Sequence, residues 1–209
     1  MARYTDSNCR LCRRELSKLY LKGDRCFSAK CPIEKKPQLP GQHTISRRKL
    51  SEYAIRLREK QKLRRIYGVL EHQFQRYFTM ATGQRAIPTG TRLLQILEAR
   101  MDNVVFRSGF APSRAAARQL VNHGHFMVNG RSTDIPSYSL KPGDRVEAKE
   151  RSKGLSVLKD GIEAVKGRSI PQWLHLTPEA MQVVVQSLPL REQIDVPVQE
   201  QLIVEFYSR

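Results

Sequence analysis

Four cysteines stand at Cys9-x2-Cys12-x13-Cys26-x4-Cys31. Two close pairs of thiolates separated by a short loop can set four sulfurs tetrahedrally around Zn²⁺, and such paired spacing in a basic segment is a specific signal. A four-iron four-sulfur cluster takes the same four ligands, and four unrelated reduced thiols are the plain alternative. Zinc is favoured because no redox chemistry shows elsewhere in the chain. A closed four-thiolate site leaves no position for a substrate, so its role is structural. A basic arm this short has too few apolar residues for its own core, and metal binding would supply its folding free energy.

A second constellation spans residues 100–135. Ser113 is a suitable N-cap for a helix on which Arg114 and Arg118 lie four apart, and the outward N–H groups at such a helix start form a natural phosphate site. Arg107, Gln119, Asn122, His123 and Arg131 extend this surface. The bland alternative is a solvated helix face. Arg56, Lys60 and Arg64, also four apart, read as a further basic ridge on an earlier helix. Nothing comparable points to catalysis. None of His43, His72, His123, His125 and His175 stands with a Ser or Cys in a catalytic arrangement, and Asp102, Asp134 and Asp144 read as helix or turn residues. There is no phosphate-cradling glycine loop, dinucleotide pattern or open metal site. The chain is not expected to be an enzyme or to take a small-molecule substrate.

The charge balance names the partner class. The 209 residues carry 37 Lys/Arg against 20 Asp/Glu, a formal net charge of +17. So large an excess repels itself and implies a polyanion, nucleic acid before any anionic membrane. Residues 1–65 hold 19 of the Lys/Arg and 6 of the Asp/Glu. The first third is therefore a basic arm that extends in isolation and orders on a phosphate backbone. No stretch reaches the roughly 18 consecutive apolar residues of a membrane span. The N-terminus has no apolar leader core, so a cytoplasmic location is expected.

Local pattern supplies the elements that must position these groups. Pro37-Gln-Leu-Pro-Gly41 breaks any helix and marks a boundary. A helical stripe runs from Leu50 to about Leu70 behind a weak Ser51 cap, and a second helix over 71–80 turns Phe74, Tyr77 and Phe78 inward. Leu93, Leu94, Ile96, Leu97, Met101, Val104 and Val105 require at least one helix over 92–106. The helix from Ser113 ends at Gly124, a plausible left-handed C′ residue. Asn129-Gly130 predicts a type I′ hairpin turn after Phe126-Met127-Val128. Pro142-Gly143-Asp144 then turns the chain into an alternating strand over 145–149. A helix is expected over 155–165, strands over 173–176 and 182–186, and a short docked helix over 199–207.

The run from Arg100 to Asp144, RMDNVVFRSGFAPSRAAARQLVNHGHFMVNGRSTDIPSYSLKPGD, closely resembles the RNA-binding module of bacterial ribosomal small-subunit protein four. CRLCRRE at Cys9–Glu15, PGQH at Pro40–His43, LREKQKLRRIYGVLEHQF at Leu57–Phe74 and LIVEFYSR at Leu202–Arg209 are similar to that family too, in the same order. The weakest stretch is about 155–172. Thr44 and Ala54 stand where the family has glycines, Met101 where it has leucine, and Ser132-Thr133 where a more apolar pair is common.

The resemblance implies an α+β fold: a basic metal-binding N-terminal arm, a helical domain, and an inserted RNA-binding domain with helices packed on a small, mainly antiparallel sheet. The expected boundaries are 1–45 for the arm, 46–97 with 190–209 for the helical domain, and 98–189 for the insert. It implies a structural constituent of the small ribosomal subunit. Such a protein would be a primary binder of ribosomal RNA at a multi-helix junction of the five-prime domain, nucleating assembly of the subunit body. It also implies proximity to small-subunit protein five, a functional link to protein twelve in decoding accuracy, and messenger RNA close by where it enters the subunit. The expected RNA contacts are Arg3, Arg10, Arg13, Arg14, Arg47, Arg48, Lys49, Arg56, Lys60, Arg64, Arg107, Ser113, Arg114, Arg118, Gln119, His123 and Arg131, with Arg47, Arg48 and Lys49 gripping messenger. Two other readings stay open here: a zinc-dependent nucleic-acid-binding regulator, and the RNA-binding part of an RNA-modifying enzyme.

Overall fold

A computed structural model of the chain describes residues 3–42, 49–84, 86–165 and 170–208. The fold is α+β. Contacts divide the chain into two compact units, one of Met1–Leu93 with Val196–Arg209 and the other of Leu94–Asp195.

The first unit is helical. Near its N-terminus lie α1 (Asn8–Glu15), a 3-10 turn over Gly23–Cys26 and the single turn α2 (Pro32–Lys35), followed by α3 (Glu52–Ile66) and α4 (Glu71–Thr82). Ser51 caps α3, its Oγ accepting from the Ala54 N–H at 3.3 Å. Gly68, at φ +62°, stops it by letting the Val69 N–H return to the Arg64 carbonyl at 3.0 Å, the left-handed helix end that favours glycine. Leu63, Ile66, Tyr67, Phe74, Tyr77, Phe78 and Ala81 are buried, while Leu50, Tyr53 and Leu70 of the expected stripe are exposed. The chain closes this unit with α9 (Glu200–Tyr207), laid along α3, with Tyr207 stacked on Phe78 at 4.4 Å between ring centroids. At the start of α5 (Thr89–Glu98), a Cβ on Gly90 would sit 2.6 Å from Glu200 Cγ, so close approach requires glycine there.

The second unit packs helices on a sheet. α6 (Met101–Arg107) and α7 (Arg114–Asn122) precede β1 (Phe126–Val128), β2 (Arg131–Ser132) and β3 (Arg145–Ala148). After these come α8 (Ser156–Val165), β4 (Leu174–Thr177) and β5 (Gln182–Val185). The five strands run β2-β1-β3-β5-β4, every pairing antiparallel. Asn129 and Gly130 both have positive φ, +50° and +77°, as a type I′ turn demands. The Asn129 side chain also ties the hairpin to β3, donating to Asp144 Oδ1 and accepting from the Arg145 N–H, both at 2.9 Å. Phe110, Phe126, Leu158 and Trp173 fill the core between helices and sheet. Within α8, Gly161 lies so near the Gly109 carbonyl that a Cβ would clash with backbone.

The apolar run over 92–106, expected to hold at least one helix, is divided between two, α5 and α6. Arg100 leaves the helix for an extended conformation (φ −69°, ψ 140°) and bridges to Ser139, so the break comes from strand-like pairing with a distant segment. The arm is not a bare extended chain: α1 packs on α3 through the buried Glu15 side chain, which pairs with Arg58 and Arg65.

Candidate nucleic-acid interface

In the second unit the candidate surface is α7 and the hairpin end. Ser113 Oγ accepts from the Ala116 N–H at 3.3 Å and so caps α7. One turn in, Arg114 and Arg118 are held from beneath by α6. Arg114 Nε donates to Asn103 Oδ1 at 2.8 Å while its guanidinium lies 4.5 Å from the Phe106 ring centroid. Arg118 Nη1 stands 3.5 Å from Asp102 Oδ2, and the same carboxylate takes both Nε and Nη2 of buried Arg100, at 3.0 and 2.5 Å. Asn103 in turn donates to Glu98 Oε2 at 2.6 Å, and Glu98, wholly buried, receives a two-pronged Arg107 at 2.7 and 3.1 Å. Planar guanidinium forks suit such bidentate pairing. The network holds Arg114 and Arg118, the latter with a side chain only 13 % exposed, in fixed poses, which favours recognition of a rigid phosphate array.

Gln119, Asn122, His123 and Arg131 are exposed along the same helix and hairpin. Arg107 has the same 13 % side-chain exposure as Arg118 and is held from two positions by Glu98, so its guanidinium also serves the network. Two cations not foreseen, Lys149 and Arg151, join the surface beside His125. The Lys149 N–H donates to the His125 carbonyl at 2.9 Å, and Lys149 Nζ reaches Ser132 Oγ at 2.6 Å. Exposed Arg151 follows, and His125 Nδ1 lies 3.0 Å from Ser152 Oγ. Burial lowers the His125 pKa, helped by the nearby charges of His123, Arg151 and Lys149. Only the register pairing Phe126 with Ala148 brings these residues together; no local spacing signals it.

In the first unit the expected ridge on α3 is corrected. Arg56 pairs with Glu205 at 2.7 Å and Glu52 at 3.1 Å, and Lys60, 5 % exposed, pairs with Glu71 at 2.5 Å and lies 4.7 Å from the Phe206 ring centroid. Arg64 Nη2 donates to Gln61 at 2.6 Å, with its Nε 3.6 Å from Glu71. These three line the seam with α9 and Glu71, because a partly buried cation is stable only beside a carboxylate. On the arm, Arg13 braces the Pro37–Gly41 loop through the Gln38 and Leu39 carbonyls, at 2.8 and 3.2 Å. Arg3, Arg10, Arg14 and Lys49 are exposed. Arg47 and Arg48, with His43 and Thr44, lie outside the described residues.

All four cysteines are free thiols lining one hollow, with Lys22, Arg25 and Ile33 among its other walls. Cys12, Cys26 and Cys31 are buried, Cys9 half-buried, and the Lys22 N–H donates to Cys26 Sγ at 3.3 Å. Burial pushes the Cys12 thiol up, opposed by a hydrogen bond to the Leu19 backbone, and the other three sulfurs add to the rise. Four sulfurs facing one small space fit a thiophilic cation in kind and number. Among the described residues, no group of three or more His, Cys, Asp or Glu is spaced to hold an ion. Among them too, no helix is long and apolar enough to cross a membrane.

The family model described as the ribosomal protein S4/S9 N-terminal domain matches residues 3–98, and the one described as the S4 domain matches residues 99–146. The chain is 58 % identical to the small ribosomal subunit protein uS4 of Dictyoglomus turgidum. It is 59 % identical to uS4A of Symbiobacterium thermophilum and 54 % identical to uS4 of Syntrophobacter fumaroxidans. Each alignment runs over 209 residues and covers 100 % of both chains.

Proposed function

Because the chain belongs to the ribosomal protein uS4 family, a structural and RNA-binding constituent of the small ribosomal subunit rather than an enzyme, we propose that it clamps several ribosomal RNA helices together. The end-to-end identity with uS4 relatives carries this reading. The RNA target we propose is a multi-helix junction of the five-prime domain, bound early enough to nucleate the subunit body. A junction offers phosphates from several helices at once, and shape and backbone contacts dominate such recognition. The α7–hairpin face, with Ser113, Arg114, Arg118, Gln119, His123 and Arg131, and the arm, with Arg3, Arg10 and Arg14, are two basic surfaces suited to different helices. Sedimentation of the tagged protein through sucrose before and after a high-salt wash tests this. Retention with the small subunit in both conditions is expected; release into the soluble fraction, or onto DNA, refutes it.

The cysteine hollow is read as a structural zinc site held by Cys9, Cys12, Cys26 and Cys31. The shared hollow and all-sulfur donor set support this, since four thiolates fill a tetrahedral coordination shell. When bound, the ion would cross-link α1 to the segment before α2. Metal analysis of the purified protein should find one zinc per chain; iron with acid-labile sulfide would assign the cluster instead. Arg47, Arg48 and Lys49 are proposed to grip messenger RNA where it enters the subunit, beside small-subunit protein five and with an effect on decoding accuracy shared with protein twelve. Reversing these three charges should slow translation through structured messengers while subunits assemble normally, and unchanged translation refutes it. The RNA-modifying-enzyme reading loses ground because the uS4 likeness leaves no part of the chain for a catalytic domain, and the regulator reading because the full-length relatives are small-subunit ribosomal proteins.

A further inference from the structure

We infer that Tyr20 and Phe27 form a stacking platform for an unpaired RNA base, a contact additional to the phosphate-binding cations. The inference rests on the RNA-binding role proposed above. The two rings stack with centroids 4.8 Å apart and planes 27° from parallel. They nevertheless remain 42 % and 62 % exposed. Leu19, immediately before Tyr20, is 2 % exposed and anchors the loop instead. Tyr20 itself has φ +52°, a left-handed backbone that a bulky L-residue rarely adopts. That conformation lets the chain bury Leu19 while turning the next side chain outward to meet Phe27.

The surroundings fit RNA. Lys22, Arg25 and Lys30 are exposed beside the rings in the chain, with Asp24 the acidic residue among them, while Lys18 is engaged by Glu34. Exposed aromatics among cations are the usual device for holding single-stranded nucleic acid: the rings take a base face and the cations take the backbone. Stacking of this kind tolerates any base, because every base has a π-face, so the platform would read single-strandedness rather than sequence. On the α7 face the ring pair is His123 and His125, tilted 56° with centroids 6.0 Å apart rather than stacked.

The test uses the full-length protein as purified with two RNAs, a hairpin carrying 2-aminopurine in its unpaired loop and a blunt duplex of equal length. Phe27→Leu and Tyr20→Leu keep apolar bulk but remove the ring; Phe27→Trp restores one. The platform predicts that each leucine variant weakens hairpin binding about tenfold. Duplex affinity and the salt slope should be unchanged, the 2-aminopurine quench should be lost, and Phe27→Trp should recover both affinity and quench. Leucine variants that bind the hairpin like the parent, with the same quench, overturn the platform and leave the RNA-binding role intact. Equal losses on hairpin and duplex assign the rings to folding of the arm and also overturn it. A parent protein that binds neither RNA refutes the RNA-binding role itself.

Discussion

Glu98→Ala is the substitution that most directly tests how the α7 surface is built. The Glu98 carboxylate is completely buried and accepts from Arg107 at two positions and from Asn103. Removing it takes both of these bonds from the Arg107 guanidinium, 13 % exposed, while Asp195 at 4.0 Å is itself 85 % exposed and screened by water. Breaking a buried ion pair by deleting one partner costs about 3–5 kcal/mol, because the remaining charge is uncompensated. With a urea dependence of about 2 kcal/mol/M for a unit of this size, the midpoint should fall by about 2 M. Trp173 is the chain's one tryptophan and is buried in the same unit, so its fluorescence reports that unit's unfolding. Glu98→Gln, which keeps an acceptor, should lose about 1–3 kcal/mol. A double replacement of Glu98 and Arg107 by leucine should recover most of the alanine loss, since well-packed apolar pairs often match buried ion pairs. If Glu98→Ala moves the Trp173 midpoint by less than the experimental scatter, the network is not a structural element and the reasoning fails.

Other expectations are simpler. Gly161→Ala should cost about 1–3 kcal/mol by Trp173-monitored unfolding, because the new Cβ meets the Gly109 backbone, which cannot turn aside as a side chain would. Arg114→Gln and Arg118→Gln should each weaken RNA binding across sequences and reduce the salt slope by about one phosphate; an unchanged slope would remove them from the interface. Burial raises the Glu71 pKa, but hydrogen bonds from Lys60 and Tyr207 and the charge of Arg64 bring it below its ordinary value. The contribution of Glu71 is therefore present above the unfolded carboxylate pKa and lost as pH falls through the lower folded value. Circular dichroism melts of the parent should weaken over that acid range, and Glu71→Gln should flatten this part of the profile. Chelation, or Cys31→Ser, should loosen residues 7–36 in hydrogen exchange while leaving Trp173 unfolding unchanged; a concerted loss of both would contradict two separately stabilised units.

How far sequence reasoning reached depends on the range of the interaction behind each feature. Ser113 as a cap, Asn129-Gly130 as a type I′ turn, Gly124 as a helix stop and the inward Phe74, Tyr77 and Phe78 of α4 are set by a few neighbouring residues, and all are present. The charge excess and cysteine spacing are likewise complete in the linear chain. The charge excess names the partner class without any coordinates, and the cysteine spacing suggests the donor set proposed for zinc.

What tertiary structure alone decided is which cations face solvent. Arg56 and Glu205 are 149 residues apart in the chain, and Lys60 is buried because α9 returns to lie along α3. Four-residue spacing gives those cations a common helix face but not what covers it. Arg100 breaks an apolar run that contains neither glycine nor proline, because Ser139 pairs with it, and Lys149 joins His125 only through the register of β1 and β3. Each of these depends on pairing between distant segments. Local propensity sets the elements; the free energy of burying a charge only beside its counter-charge sets which residues remain for RNA.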